Sequence, residues 1–212
     1  MIYIKFFTFS PIQENTYILY NEKGKAFIID PGCYFPAEQE TLKNFITAEG
    51  LTPIQLLNTH CHLDHVFGNK WVYEKFGLEL YMHSNEQQML QLAPNAGLQW
   101  GMPFENYKGP LHFVEEGNSV FLDEDELKII VTPGHSPGSI CFYNEAQNFL
   151  IGGDVLFYKS IGRTDLPGGS HETLLNSIHN KLFLLPNETK VYSGHGQVTS
   201  IGFEKANNPF LQ

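Results

Sequence analysis

The chain is short of positive charge. Thirteen Lys+Arg stand against 23 Asp+Glu, a formal net charge of −10 over 212 residues. That balance repels nucleic-acid phosphates and anionic lipid headgroups, so neither nucleic acid nor membrane is expected as a partner. Cysteine is also scarce. Cys33, Cys61 and Cys141 are odd in number, far apart and without zinc-ribbon spacing, which excludes a disulfide scaffold and fits reduced thiols in a cytoplasm. No unbroken apolar run is long enough to cross a bilayer, and no targeting segment is visible, since Met1 to Phe7 alternates like a strand. What remains is 42% hydrophobic and 14% aromatic, the composition of a globular protein, in a length that buries a sizeable core as one domain, residues 1–212. The densest acidic run, Asp123 to Glu126, reads as a solvated turn and lacks the spaced pattern of an EF-hand.

The apolar pattern divides into two groups of strands with helices between and after. Residues 1–30 read as three β segments, Ile2–Phe9, Thr16–Tyr20 and Ala26–Ile29, with Asn21 to Gly24 as the second turn. Residues 37–49 read as a helix with Leu42, Phe45 and Ile46 on one face. Ile54–Asn58 is a short strand, and 66–76 a helix. Further strands are expected near 111–114, 120–122, 127–131, 139–143 and 148–151, then a helix through Leu174, Ile178 and Leu182 closed by Pro186. Pro94, Gly97, Gly101 and Pro103 break the pattern between Met89 and Pro110, so that stretch is expected to be a long loop, either tucked on the surface or closing over a substrate. Two sheets face to face, each covered outside by helices, accommodate this order.

Residues 59 to 65, Thr59-His60-Cys61-His62-Leu63-Asp64-His65, hold three imidazoles and a carboxylate within six positions. His60 and His62 lie two apart and can face one point from an extended loop, while Asp64 and His65 can face a second. These groups suit zinc, iron or manganese. A merely polar loop of this density is improbable with nine His in the chain. Three later loops each follow a β-prone run and carry glycine: Gly134-His135, Gly153-Asp154 and Gly194-His195. Such strand-end loops are where sites are commonly built. Cys61 lies between two candidate ligands and is expected to turn away from them. Asp30, at a strand end before Pro31 and Gly32, is either a turn aspartate or a carboxylate that orients a ligand His from behind.

In this order the motifs resemble the metallo-β-lactamase superfamily, and within it the short, bacterial-type glyoxalase II-like (hydroxyacylglutathione hydrolase-like) proteins. The resemblance covers nearly the whole chain. It implies an α/β fold, an αββα four-layer sandwich of two mixed β-sheets with helices on both outer faces. It implies two divalent metal ions, zinc foremost with iron and manganese as alternatives. His60, His62 and His135 would hold one, Asp64, His65 and His195 the other, and Asp154 would bridge them.

Chemistry follows from two adjacent cations. A water between them loses a proton far more readily than in bulk, and the same cations polarise a carbonyl. Asp64 is the candidate to accept the water's proton. Thioesters suit such a site because thiolate leaves without a strong general acid, so the resemblance implies a small acyl-thiol substrate such as S-lactoylglutathione. Three departures bear on the thiol. The chain ends seventeen residues after His195, where long glyoxalase II proteins add a glutathione-gripping helical part. Arg163 keeps a substrate-binding cation, and Asp165 stands where an aromatic contact is usual. The same framework also resembles mononuclear-iron persulfide dioxygenases, which would use His60, His135 and Asp154, and lactonases, which share all seven ligands. The number of subunits is not written in the sequence.

Overall fold

The computed structural model describes residues 1–212. The first half lays down β1 (Ile2–Phe9), β2 (Glu14–Asn21), β3 (Lys25–Ile29), α1 (Pro36–Ala48), β4 (Thr52–Leu57), α2 (Leu63–Val66), α3 (Asn69–Phe76), β5 (Leu80–Met82), α4 (Gln87–Gln99) and β6 (Leu111–Phe113). The second half adds β7 (Ser119–Leu122), β8 (Asp125–Val131), β9 (Ile140–Asn144), β10 (Phe149–Gly153), β11 (Leu156–Phe157), β12 (Ser160–Ile161), α5 (His171–Asn180), β13 (Lys190–Ser193), β14 (Thr199–Ser200) and α6 (Ile201–Asn207). One sheet runs β1-β2-β3-β4-β5-β6 and the other β14-β13-β10-β9-β8-β7. Both are mixed. β1, β2 and β3 pair antiparallel and β3 to β6 parallel. In the second sheet β10 and β13 pair parallel among antiparallel neighbours.

The layers follow from the period of a strand. In β2 and β3, Ile18, Ala26 and Ile28 face the helices of the first half, whereas Tyr17, Leu19, Phe27 and Ile29 face the opposite sheet. In β9 and β10, Ile140, Phe142, Phe149 and Ile151 meet that same central layer, and Cys141, Tyr143 and Leu150 face α5 and α6. Central strands buried on both faces read as continuous apolar runs rather than alternating ones. Each buried Leu, Ile or Phe contributes about 1.5–3 kcal/mol of transfer free energy. The result is the expected α/β arrangement, two mixed sheets with helices on both outer faces.

Two expectations fail. Of residues 89–110, expected to be a loop, the first half is helical because α4 runs through Pro94 to Gln99, and only 100–110 lie outside helix and strand. The carbonyl of Leu90, four residues before the proline and deprived of its helical donor, instead accepts a hydrogen bond from Asn106 Nδ2 at 2.6 Å. Gly97 also has a reason to lie inside the helix. A Cβ there would stand 2.6 Å from Met102 O and 3.0 Å from the Phe104 ring, so glycine lets the returning chain pack on α4. The helix expected over 66–76 is split. Gly68 donates its N–H to Pro31 O at 2.7 Å, and Asn69 Nδ2 donates to Asn58 Oδ1 at 2.6 Å, so residues 67–68 serve the loop after β3 instead of a continuous helix.

The sheets are stitched where the loops after β3, β4, β8, β10 and β13 gather. Asn15 at the start of β2 donates its N–H to Gly194 O at 2.7 Å and its Nδ2 to Ser193 O and Gly196 O. Tyr17 Oη donates to Ser193 O at 2.6 Å. Ile140 N donates to Thr59 O at 2.9 Å. These bonds hold loops from both sheets in one rim.

Candidate metal centre

The rim brings together all seven residues singled out as ligand candidates. His60 Nε2 and His62 Nδ1 lie 3.2 and 2.8 Å from His135 Nε2. Asp64 Oδ2 lies 3.2 Å from His195 Nε2 and 3.9 Å from His65 Nε2. Asp154 reaches both groups. Its Oδ1 is 3.4 Å from His65 Nε2, and its Oδ2 is 3.6 Å from His135 Nε2 and 3.5 Å from His195 Nε2. Tetrahedral ligands about 2.0–2.1 Å from one zinc stand about 3.3 Å from each other, and the separations found, 2.8 to 3.9 Å, lie on either side of that value.

Four imidazoles are held in one tautomer. His135 Nδ1 donates to Arg163 O at 2.7 Å and His195 Nδ1 to Gln13 O at 3.0 Å. His65 Nδ1 donates to Asp30 Oδ2 at 3.1 Å. Thr59 Oγ1 gives its own proton to Asp30 Oδ2 and so accepts from His60 Nδ1 at 3.1 Å. A proton fixed on Nδ1 leaves the Nε2 lone pair free. In all four rings that lone pair is turned inward.

Asp30 therefore stands behind the cluster. Besides His65 and Thr59 Oγ1, its carboxylate accepts from Asn58 Nδ2 at 3.1 Å and Thr59 N at 2.7 Å. Although it lies close to His60 and His65, its lone pairs are already engaged. Its backbone φ is +49°, a conformation an aspartate tolerates better than most residues.

The electrostatics ask for a cation. Burial pushes the His60 and His62 rings down, the latter to about 3, and their histidine neighbours push the same way. Burial alone would raise Asp154 and Asp64. His195 and His65 outweigh it for Asp154 and hold that carboxyl well below its usual range; His65, together with the His195 hydrogen bond, lowers Asp64. His65 is correspondingly driven up by Asp154 and Asp64 against its own burial. The two buried carboxylates thus draw positive charge into the cluster, protons on His65 and His195 or a bound cation in their place. His65 Nε2 and Asp154 Oδ1 are buried without a hydrogen-bond partner, as donors aimed at an ion would be. The residues fit a divalent metal.

Several groups here carry no sequence signal. Gln13 and Arg163 act through backbone carbonyls. Glu14 is fully buried, with Oε2 on Thr16 Oγ1 and Oε1 4.0 Å from His65 Nδ1. Glu86, equally buried, accepts from Cys61 N at 2.7 Å, Gly138 N at 2.6 Å and Ser136 Oγ, tying the His60–His62 loop to the His135 loop. Cys61 turns its Sγ toward Met82 Sδ at 3.4 Å and away from the ring nitrogens, as expected. His83, His112 and His179 lie elsewhere, on Glu115, Glu79 and Phe183. Gly194 is required by space, since a Cβ there would come 2.1 Å from Asp154 Oδ1.

The cluster floors a cleft of about 300 Å³ walled by Ile12, Trp100, Phe157, Ile161 and Arg163, the volume of a small-molecule site. Arg163 does not reach freely into it. Its Nε and Nη2 donate to both carboxylate oxygens of Asp165 at 2.7 Å. No helix is long and apolar enough to cross a membrane.

The family profile of the metallo-beta-lactamase superfamily matches residues 10–195. The probable metallo-hydrolase YqgX of Bacillus subtilis is 41% identical over 202 residues, 95% of this chain and 93% of that protein. The hydroxyacylglutathione hydrolase GloC of Haemophilus influenzae is 37% identical over 201 residues, 94% and 93% of the two chains. Among solved structures, the BLEG-1 B3 metallo-beta-lactamase superposes with a TM-score of 0.91 at 41% identity, covering 99% of this chain and all of the other. TTHA1623 in a di-iron-bound form superposes with a TM-score of 0.89 at 36% identity, covering 98% of this chain and all of the other.

Proposed function

Because the chain belongs to the metallo-beta-lactamase superfamily and is a metal-dependent hydrolytic enzyme of it, we propose that it cleaves acyl thioesters over a two-metal centre. The observation that carries this is the position of Asp154, one carboxylate within 3.6 Å of ring nitrogens from both groups. His60, His62 and His135 would hold the first cation, Asp64, His65 and His195 would hold the second, and Asp154 would serve both. Zinc suits the nitrogen-rich set, and iron or manganese fits the same donors; TTHA1623 has been seen with two irons. Bound there, the cations supply a nucleophilic water at neutral pH and polarise a carbonyl.

The chain's own groups do the rest. Nδ1–H bonds to fixed acceptors keep four rings aimed without reorganisation. Asp64 directs Oδ2 at His195 and His65, which leaves Oδ1 to take the proton of the attacking water. No strong acid is needed at the leaving group, because a thiolate departs unprotonated. Arg163 stands on the cleft wall as the cation for a carboxylate-bearing thiol such as glutathione, the thiol named for GloC. Support for a thioester comes from that relative.

The test is to load the protein with zinc, iron or manganese, count metals per chain, and follow thiol release from S-lactoylglutathione. Two metals per chain with metal-dependent thiol release is the expected result. Protein that holds two metals and leaves thioesters intact refutes the substrate class. Protein that fills only the His60–His62–His135 position, even with metal in excess, refutes the two-metal centre.

A further inference from the structure

Beside the metal cleft lies a second cavity of about 90 Å³. The two share His62, Leu63, Trp100 and Leu166, so the smaller opens from the wall nearest the His62 ring. Its other side is one face of α4. Met89, Leu92, Ala93 and Ala96 recur at the spacing that lines up side chains on a helix. Eight of the ten lining residues are hydrophobic and none carries a formal charge, so a polar occupant would lose its hydration without compensation. Leu92 and Trp100 are 41% and 52% exposed, which leaves the cavity open to a ligand arriving along the cleft.

A thioester placed with its carbonyl among Asp64, Asp154 and the ring nitrogens sends two arms away from that carbon. One arm meets the cavity beside His62. The other follows the open cleft past Phe157 and Ser160 to Arg163. Biological thiols that carry acyl groups bear carboxylates, phosphates and amides, which suit the wetter arm and are excluded from the dry one. On the reading that the enzyme hydrolyses thioesters, we propose that the cavity under α4 receives the hydrocarbon chain of the acyl group, and that the preferred substrates are thioesters of short unbranched fatty acids. At about 90 Å³ the cavity is the smaller of the two, so it takes a short hydrocarbon chain and not a long one. Butanoyl and pentanoyl groups match it, whereas a lactoyl group ends one carbon beyond its α-carbon and brings a hydroxyl that the apolar walls cannot pair.

The experiment compares kcat/KM of the zinc-loaded enzyme for glutathione thioesters of acetate, propanoate, butanoate, pentanoate, hexanoate, octanoate and lactate. Each methylene that enters the cavity should raise kcat/KM about fourfold, mostly through KM, with the gain ending near pentanoyl. Ala96→Leu, which narrows the cavity, should move the optimum to shorter chains, and Met89→Ala, which widens it, to longer ones. Turnover that is flat with chain length, or an optimum that neither variant moves, overturns the assignment. A failure of the thioesterase reading is distinct: no member of the series is turned over, lactoyl included. In that case calorimetric titration with the ketone analogues, sulfur replaced by methylene, decides on the cavity alone. Affinity rising about fourfold per methylene up to pentanoyl supports it, and affinity independent of chain length overturns it.

Discussion

Replacing Glu86 with alanine should cost the fold about 2–4 kcal/mol. Glu86 is wholly buried and accepts hydrogen bonds from Cys61 N, Gly138 N and Ser136 Oγ. Alanine strips the acceptor from two buried backbone amides, and each orphaned donor costs about 1–3 kcal/mol, whereas the Ser136 hydroxyl can rotate to another partner. Set against this gross loss of about 2–6 kcal/mol is the relief of burying a carboxylate that no Lys or Arg pairs with; burial pushes the Glu86 carboxyl up despite its three donors. The net figure is a large part of a typical stability of about 5–15 kcal/mol, and for a chain of this length it lowers Tm by about 5–15 °C. Glu86→Gln should fall between, because its single oxygen can serve Gly138 and Ser136 while its amide N–H faces that of Cys61. Urea denaturation with chelator present isolates this term from metal binding, which stabilises by mass action. Midpoints of Glu86→Ala and wild type that coincide, with equal m-values, would show that the clamp contributes nothing and that the reasoning is wrong.

Three further outcomes are expected. Asp154→Ala should lose metal and activity together, while replacing His83, His112 or His179 changes neither; metal counts and turnover measured on the same samples check this, and an active Asp154→Ala refutes the shared-carboxylate assignment. Gly194→Ala should cut turnover on the order of 100-fold by displacing Asp154 and His65 while secondary structure by circular dichroism stays as in wild type; undiminished turnover would show that the packing at Gly194 is not limiting. Asp165→Asn should release the Arg163 fork and lower KM for S-lactoylglutathione a few-fold at constant kcat, a modest change because the pair is exposed; a raised KM would mean that Asp165 orients Arg163 for the substrate rather than competing with it.

Much of the fold was legible because its strands obey simple periods. The runs at 26–29 and 149–151 are apolar throughout since both of their faces are covered, and the turn at Asn21 to Gly24 is written in its residues, with Asn21 Oδ1 accepting from Lys23 N and Lys25 N. α4 was not legible. Pro94 and Gly97 ordinarily end a helix, and what rescues this one, Asn106 Nδ2 on the Leu90 carbonyl, comes from beyond the helix. The seven candidate ligands could be named because metal-binding side chains are few in kind and were clustered or flanked by glycine. Of their supports, Asp30 could be read from its place at a strand end before Pro31 and Gly32, with its carboxylate on His65 Nδ1; the others could not. Gln13 and Arg163 orient His195 and His135 through carbonyls that every residue possesses, and Glu14 and Glu86 look in sequence like any surface acid.

His60, His62, Asp64 and His65 follow a strand of one sheet, whereas His135, Asp154 and His195 follow strands of the other. Neither half by itself gathers all the residues of either candidate donor group, His60–His62–His135 or Asp64–His65–His195. Metal uptake is then a report on assembly: a chain acquires full affinity only after the two sheets have met and Asn15 has engaged the His195 loop. Contacts this distant in sequence form late, because the entropy of closing such a long loop must be overcome first. Metal scarcity would leave a docked but loosely fastened protein, prone to open along the seam between its sheets. Abundant metal would fasten the last step of folding and make the mature enzyme markedly slower to unfold than its metal-free form.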